Sequence, residues 1–186
     1  MPAKHDVPAL IHKIVWEGCE ESYRQLFRIM YPPLKAFAFS ILKNKEQAEE
    51  IASDVMITLW RDKHKLPEIN NIMVYGYVLA KNKSLNQLKA RNGRLVSIDE
   101  IEIDIVFNAP NPEQVLITEE LRKNLQQAVG SLPPKCKMIY RLVKEDGLSY
   151  KEVAEILSIS VKTVDAHLVT AVKKISEAIK TEYNLA

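Results

Sequence analysis

Apolar residues recur at helical spacing along most of the chain and predict two groups of α-helices. In the first group, apolar side chains lie three and four residues apart from residue 8 to about residue 42. The proline pair at 32–33 lies in the second of these helices and is expected to kink or interrupt it, because proline has no backbone N–H to donate. Two more helices are predicted at about 46–63 and 73–91, with a polar, proline-containing loop at 64–71 between them.

The helical spacing is lost between the two groups, in the stretch GRLVSIDEIEIDIVFNAPNPEQ that begins at Gly93. Acidic residues alternate there with isoleucine and two prolines follow, so the stretch is either a linker or a short strand. We interpret it as a linker, since no other segment has the pattern of a partner strand. Helices are expected to resume near Pro112 and to continue toward the C-terminus.

The last two predicted helices are separated by only three residues, 158–160. The first of them begins after Ser149, which precedes Glu152 by three residues in the pattern of a capping box. Ser160 can cap the second helix, and the small side chain of Ala154 allows the two axes to approach closely. A pair this tight predicts a helix-turn-helix, in which the second helix presents its outer face to the major groove of DNA.

The outer face of that second helix has residue types suited to DNA contact. Its inner face is apolar on a helical wheel and comprises Val161, Val164, Leu168, Ala171, Val172 and Ile175. Its outer face is small, polar and cationic and comprises Lys162, Thr163, Ala166, Val169, Thr170 and Lys173, with His167 and Lys174 at the margin. The pattern leaves one alternative open, an ordinary helical hairpin with a lysine face in solvent.

Composition is typical of a soluble helical protein. Hydrophobic residues make up 47% of the chain and charged residues 27%, with five glycines among 186 residues. No apolar run reaches the roughly 20 residues that a membrane span needs, and the N-terminus lacks the pattern of a secretory signal. Cys19 and Cys136 are far apart and predict buried free thiols in a reducing compartment. We therefore expect a cytoplasmic protein.

Charge divides the chain into three parts. Residues 1–92 have fourteen Lys and Arg against ten Asp and Glu, residues 93–113 have one against five, and residues 114–186 have eleven against nine. These balances of +4, −4 and +2 give the chain its net charge of +2. They indicate two mildly basic domains, 1–92 and 114–186, joined by an acidic linker, 93–113.

The chain shows no pattern that indicates catalysis. It has no glycine loop for phosphate binding, no HExxH sequence and no nucleophile elbow. The four histidines, at positions 5, 12, 64 and 167, are too scattered to indicate a metal site. We predict that the protein is not an enzyme and that it has no cofactor, no metal and no small-molecule substrate.

Three blocks of the sequence resemble extracytoplasmic-function (ECF) sigma factors of the sigma-70 family. LPPKCKMIYRLVKEDGLSYKEVAEILSISVKTVDAHLVTAVKKI resembles their region 4, QAEEIASDVMITLW their region 2.2, and VYGYVLAKNKSLNQLKAR their region 2.3–2.4. The resemblance implies an all-α fold of two small helical domains, region 2 and region 4, on a flexible linker. It also implies a role in transcription initiation, with region 2 reading and melting the −10 element and region 4 reading the −35 element.

The resemblance implies three partners: core RNA polymerase, through its β′ and β subunits, promoter DNA, and an anti-sigma factor, membrane-anchored in one alternative. The third predicted helix has an apolar face formed by Ala48, Ala52, Val55, Met56 and Leu59. The family's helix docks the β′ coiled coil, which assigns that contact to Glu50, Asp54, Ile57 and Trp60 on the other side. A solvated face with Trp60 in the core is the alternative.

The fourth predicted helix is expected to capture an unpaired base of the −10 strand, together with the loop at 64–71. Its inward residues are Val74, Tyr77, Val78, Leu85 and Leu88. An aromatic ring, amides and a lysine on its other side can stack on a base, hydrogen-bond it and neutralise phosphate. The predicted −10 contacts are Tyr75, Asn82, Lys83 and Asn86, of which Asn82 matches a characteristic position of the family.

Region 4 is expected to read the −35 element with the outer face of its last helix. The predicted contacts are Lys162, Thr163, Asp165, Ala166, His167, Val169, Thr170 and Lys173. Asp165 departs from the basic or small residue that relatives often have there. It either accepts a hydrogen bond from a cytosine amino group or pairs with a neighbouring lysine.

Two further interpretations concern the linker and the runner-up function. The family threads the linker through the basic interior of the polymerase, where Asp99 to Asp104 could stand in for nucleic acid, although a solvated spacer explains the same residues.

TVDAHLVTAVKKI also resembles the recognition helix of LuxR-type regulators. A stand-alone LuxR-like regulator is therefore the alternative, but the N-terminal half lacks the strand–helix alternation of a receiver domain.

Overall fold

The computed structural model describes residues 6–94, 101 and 119–183. The chain divides into two compact units, Met1–Leu95 and Val96–Ala186. The described residues of both units form helices and contain no strand, which confirms the predicted all-α class. None of these helices is both long and apolar enough to cross a membrane. Apart from residues 93, 94 and 101, the predicted linker lies outside the described residues.

In its described residues, 6–94, the first unit contains four α-helices and one 3₁₀ helix. They are α1 (Val7–Trp16), α2 (Glu20–Leu42), α3 (Lys45–Arg61), a 3₁₀ helix (Lys63–Glu68) and α4 (Ile72–Asn92). The 3₁₀ helix occupies most of the segment that was predicted as a loop, so that prediction was wrong in detail. Asn44 and Asn71 cap α3 and α4, because each side chain accepts a hydrogen bond from a backbone N–H of the first turn.

Helix α2 runs through Pro32 and Pro33 as one 23-residue helix, so the predicted interruption does not occur. Proline inside a helix removes a hydrogen bond at a cost of about 3 kcal/mol. An apolar face that continues at helical spacing on both sides of the pair offsets that cost. Its fully buried members are Leu26, Met30, Leu34 and Phe37.

The core of the first unit lies where α2 meets α3 and α4. Phe37 of α2 and Tyr77 of α4 are both buried and meet edge to face, with ring centroids 5.1 Å apart. Gly76 allows α4 to approach α2 closely, since a Cβ at this position would lie 2.7 Å from the terminal methyl of Met30. The predicted inner face of α3 is buried throughout, which confirms the wheel. On α4, two of the predicted inward residues, Val78 and Leu85, are half-buried.

The second unit contains four α-helices in its described part. They are α5 (Glu119–Gly130), α6 (Pro134–Lys144), α7 (Tyr150–Leu157) and α8 (Val161–Tyr183). Their core includes Met138, Ile139 and Leu142 of α6 together with Ile156 of α7 and Val164 of α8, all fully buried. Both cysteines are free thiols, but only Cys136 is buried and Cys19 is partly exposed, which corrects the prediction for Cys19.

Candidate nucleic-acid and protein-binding surfaces

The junction between α7 and α8 has the tight, doubly capped geometry that the sequence predicts. The Ser149 N–H donates to the Glu152 carboxylate over 2.7 Å, and the Glu152 N–H donates back to the Ser149 hydroxyl. Ser158 ends α7 in the left-handed conformation with φ 58°, and the Thr163 N–H donates to Ser160 Oγ over 3.0 Å. The capping box, the turn and the second cap are therefore confirmed.

The inner face of α8 is narrower than predicted. Val164, Leu168, Ala171 and Ile175 are buried, whereas Val161 and Val172 are 43% and 48% exposed. The wheel placed both valines on the apolar face, and that placement was wrong. At 100° per residue Val172 lies about 70° from the centre of the buried stripe, and Val161 is the first residue of the helix.

Most of the residues predicted to contact the −35 element are exposed on the opposite side of α8. The exposed ones are Lys162, Asp165, Ala166, Val169, Thr170 and Lys173. Val169 is the most prominent apolar group among them, with 61% of its surface exposed. Lys173 Nζ lies 3.9 Å from a Glu177 carboxylate oxygen, but both side chains are mostly exposed, so this pair is a weak restraint on the lysine.

His167 and Thr163 differ from the other predicted contacts because both are half-buried. The Thr163 hydroxyl lies 2.8 Å from the Ser160 hydroxyl at the start of the helix. His167 Nδ1 lies 3.2 Å from the sulfur of Cys136 on α6. These two side chains are therefore held by neighbouring residues, while the rest of the face is open to a groove.

An exposed isoleucine flanked by acidic residues marks the outer side of α3. Ile57 is 60% exposed, and Glu50 and Asp54 are exposed beside it on the same helix. Together with the partly exposed ring of Trp60 one turn further on, Ile57 forms a small apolar patch bordered by acidic residues. The patch lies directly opposite the buried face of α3, as the wheel predicts.

Trp60 is half-buried at the edge of this patch rather than in the core. Its ring lies 4.7 Å from that of Tyr23, centroid to centroid, and Lys63 Nζ sits 4.5 Å above it. The Tyr23 hydroxyl donates a hydrogen bond to the Met56 carbonyl over 2.8 Å, and burial raises the pKa of that hydroxyl. Tyr23 thus supports Trp60 from α2, a role that spacing within one helix could not reveal.

The predicted −10 residues lie along one side of α4, with Asn82 and Asn86 exposed and Tyr75 and Lys83 half-buried. Lys83 Nζ is 3.0 Å from Asp54 Oδ2 of α3. The −10 side of α4 and the acidic patch on α3 are therefore adjacent and joined by an ion pair.

Helix α4 also buries polar residues that sequence analysis missed. Lys81 is 7% exposed, and its burial lowers the pKa of the ammonium group. Ser84 is completely buried one turn further along the helix. Helical periodicity could not predict the burial of Lys81 or Ser84, because polar residues on a helical wheel are assigned to the solvent-facing side.

A groove of about 580 Å³ separates α1 from the start of α4. Ile11 and Trp16 line it from α1, and Leu66, Pro67 and Ile72 line it from the 3₁₀ helix and α4. Trp16 is 71% exposed at its edge, with its ring centroid 6.4 Å from that of His12. Sequence analysis assigned no function to these residues.

Two family models match the chain, and each match lies within one of the two units. The model described as Sigma-70 region 2 matches residues 26–94, and the model described as Sigma-70, region 4 matches residues 122–175. The first match contains α3 and α4 with the exposed patch and the polar face. The second contains α7 and the exposed face of α8.

The similar curated proteins are named as ECF RNA polymerase sigma factors. The ECF RNA polymerase sigma-E factor of Escherichia coli (strain K12) is 32% identical over 112 residues, which cover 56% of this chain and 59% of that protein. The ECF RNA polymerase sigma factor SigE of Mycolicibacterium smegmatis is 24% identical over 148 residues, which cover 79% of this chain and 57% of that protein. The chain thus spans less than two thirds of the length of these relatives.

Solved structures with the same fold include a sigma factor crystallised with an anti-sigma factor. RpoE in complex with the anti-sigma factor NepR from Bartonella quintana superposes with a TM-score of 0.59, covering 86% of this chain and 98% of that one at 17% identity. CnrH in complex with the cytosolic domain of CnrY gives a TM-score of 0.55, covering 93% and 96% at 17% identity. A stand-alone LuxR-like regulator is not favoured, because the region 2 match covers the N-terminal unit as well.

Proposed function

Since the chain belongs to the sigma-70 family, in its extracytoplasmic-function group, we propose that it is an alternative sigma factor of RNA polymerase. It binds core polymerase and directs transcription initiation at promoters with particular −35 and −10 elements. The observation that carries this proposal is the presence of two different exposed surfaces, each within the matching family region. One is the apolar and acidic patch on α3, and the other is the cationic face of α8.

Helix α8 is proposed to enter the major groove at the −35 element. Lys162 and Lys173 supply phosphate contacts, while the small side chains of Ala166 and Thr170 allow the helix to approach the bases. The exposed methyl groups of Val169 can contact a thymine methyl, and the Asp165 carboxylate can accept a hydrogen bond from a cytosine amino group. The other two contacts in this proposal are Thr163 and His167.

The −10 element is proposed to bind the polar side of α4, where Tyr75 and Asn86 flank Asn82. Opening the duplex costs a few kcal/mol for each flipped base. Contacts to the captured base by Asn82 and to the backbone by Lys83 offset that cost together with the polymerase contacts, so no nucleotide hydrolysis is needed. The segment 64–71 completes this site. Its last residue, Asn71, also caps α4.

Core polymerase is proposed to bind the patch of Glu50, Asp54, Ile57 and Trp60 on α3. Region 2 then extends over residues 1–92 and region 4 over residues 114–186, with the acidic linker 93–113 between them in contact with the polymerase. A factor of this kind acts in the cytoplasm, where polymerase and promoter DNA are. It contributes binding energy rather than a catalytic group.

An anti-sigma factor is proposed as the partner of the free protein. RpoE of Bartonella quintana, which shares its fold, was crystallised with such a partner, the anti-sigma factor NepR. The exposed apolar residues Ile57 on α3 and Val169 on α8 provide surfaces that such a protein can cover. Binding there excludes both polymerase and DNA.

Co-elution with core polymerase tests the docking surface. We expect the purified protein to elute with bacterial core RNA polymerase on size exclusion, and Ile57→Glu to abolish co-elution. A charge introduced at this exposed position leaves the fold intact, as circular dichroism can verify. Glu20→Lys, at an exposed site on α2, serves as a charge-change control and should co-elute normally. A wild-type protein that elutes separately from the polymerase would contradict the proposed function.

A further inference from the structure

A second groove, of about 580 Å³, runs along one side of α8 in the second unit. Lys144 at the end of α6 and Tyr150 at the start of α7 line it on one side. On the other side it is lined by residues of α8 between positions 168 and 180. Tyr150, Val172 and Lys180 have no role in the surfaces described above.

The floor of this groove is apolar and open to solvent. It is formed by Tyr150, Val169 and Val172, which are 36%, 61% and 48% exposed. These are three of the six large apolar side chains that are exposed among the described residues. Since the three surround one groove, a single partner can remove all of them from water, which is favourable.

The rim of the groove is cationic. It consists of Lys144, Lys173 and Lys180, and Glu177 is the one acidic residue among the described residues that line the groove. Lys173 Nζ lies 3.9 Å from a Glu177 carboxylate oxygen, but these side chains are 75% and 62% exposed, so their attraction is weak. A partner that presents carboxylates to this rim is electrostatically complementary to it.

The spacing of the exposed residues on α8 favours a helix as the occupant. Positions 169, 172, 173, 176 and 180 are all exposed and recur every three or four residues, so they form one stripe along α8. The stripe is about 17 Å long, which matches three turns of a second helix packed alongside. The backbone of a DNA duplex could meet the lysines but offers little apolar surface to the floor.

We propose that this groove binds an acidic amphipathic helix of a partner protein. The apolar side chains of that helix cover the floor, and its carboxylates face the lysine rim. The inference goes beyond the role in initiation, because it holds for the protein without polymerase or promoter. Val169 and Lys173 also belong to the proposed −35 face. The docked helix would therefore exclude DNA there, a consequence that rests on the proposed function.

Binding of a designed peptide tests the groove directly. The probe is a helical peptide of about four turns, with leucine at every third and fourth position, glutamate beside the leucines and alanine elsewhere. Titrated into the full-length ¹⁵N-labelled protein, it should shift the amide signals of Tyr150 and of residues 168–180. The same peptide with glutamine in place of glutamate should bind about tenfold more weakly. No binding by the acidic peptide, or equal binding by both, would overturn the proposal.

Substitutions in the floor and the rim locate the contact. Val172→Asp should weaken binding of the acidic peptide about tenfold, and Lys180→Gln about two- to fivefold. Both residues are exposed, so circular dichroism should show an intact fold. Lys123→Gln, which removes an exposed lysine of α5 outside the groove, should bind as wild type. Wild-type affinity in all three variants would contradict the assignment of the groove.

Three other occupants give different results, and each would overturn the proposal. Duplex DNA that shifts the Tyr150 amide as strongly as the peptide does would assign the groove to nucleic acid. Self-association in sedimentation that Val172→Asp abolishes would assign it to a second copy of the chain. Groove signals that move when the acids of segment 99–104 are neutralised would assign it to that segment. Failure to co-elute with polymerase would instead overturn the proposed function alone, since peptide binding is measured without polymerase.

Discussion

Asp54 and Lys83 form an ion pair between α3 and α4, with Oδ2 3.0 Å from Nζ. The carboxylate belongs to the proposed polymerase patch, and the ammonium group belongs to the proposed −10 site. The pair therefore connects two surfaces that sequence analysis assigned to different partners. Polymerase groups that bind the Asp54 carboxylate would therefore compete with Lys83 for that carboxylate.

We expect this ion pair to contribute little to the free energy of unfolding. Its larger effect should be to couple binding at the α3 patch to binding at the −10 side of α4. Both side chains are partly exposed, so a double-mutant cycle with Asp54→Asn and Lys83→Gln should give a coupling free energy of unfolding within about 1 kcal/mol. Asp54→Asn should also make the free protein bind single-stranded −10 DNA more tightly, because Lys83 is released. The measurements are urea unfolding followed by tryptophan fluorescence, and fluorescence anisotropy with labelled DNA. Unchanged DNA binding by Asp54→Asn would contradict the linkage.

Two adjacent residues of α8 should separate stability from DNA recognition. Leu168 is buried and Val169 is 61% exposed, so Leu168→Ala should destabilise the second unit by about 2–5 kcal/mol. Val169→Ala should change stability by less than about 0.5 kcal/mol and weaken −35 recognition. Hydrogen exchange over residues 134–175 reports the first effect, and promoter binding by reconstituted polymerase reports the second. Destabilisation by Val169→Ala would show that the exposed face of α8 is assigned wrongly.

Removal of the capping box should loosen α7. Ser149→Ala removes the hydroxyl that accepts from the Glu152 N–H and should cost about 0.5–2 kcal/mol. Faster hydrogen exchange in α7 is the expected signature. Ser176→Ala on the exposed part of α8 provides the control, since this serine is no cap. Equal exchange rates in the two variants would contradict the capping role.

The carboxyl group of Glu145 should make the second unit less stable as the pH rises through neutrality. Desolvation raises its pKa from 4.5 to about 7, with the positive charge of Arg141 opposing and the negative charge of Asp146 adding to the shift. The folded state then binds a proton more tightly than the unfolded chain. This contribution to stability is complete below about pH 4.5 and is lost as the pH passes 7.

Glu145→Gln should remove this dependence. Between about pH 5 and pH 8 the free energy of unfolding of the second unit should fall more steeply in wild type than in the variant. The difference can be followed by hydrogen exchange, corrected for the intrinsic rate at each pH. Glu155→Gln, on the exposed side of α7, should retain the wild-type slope. Parallel curves for wild type and Glu145→Gln would contradict the assignment.

Local signals in the sequence were sufficient for the elements and for the buried face of α3. Helices α3 and α4 begin within one residue of their predicted starts and end within two of their predicted ends. Ala48, Ala52, Val55, Met56 and Leu59 are all buried, as their spacing requires. Ser149 and Ser160 cap their helices because capping depends on residues only three positions away.

Residue spacing within single helices could not predict the contacts between helices. Asp54–Lys83 and Cys136–His167 join residues that are 29 and 31 positions apart, and a helical wheel has no information on which helix packs against which. The continuity of α2 through Pro32 and Pro33 was missed for the same reason, because it depends on how the apolar face of the helix packs against other helices. That packing overrides the local effect of the two prolines. Val172 was misassigned because apolar character alone does not determine how wide a buried stripe is.

Initiation in vitro is the most direct test of the account. Core RNA polymerase mixed with the protein should produce specific transcripts from upstream DNA of the source genome. Trp60→Ala should lose transcripts together with co-elution. Asn82→Ala should retain co-elution and duplex binding but lose melting of the −10 region, detected by permanganate reactivity of unpaired thymines. Duplex binding by the protein alone, with no transcripts and no association with core polymerase, would contradict the assignment as a sigma factor.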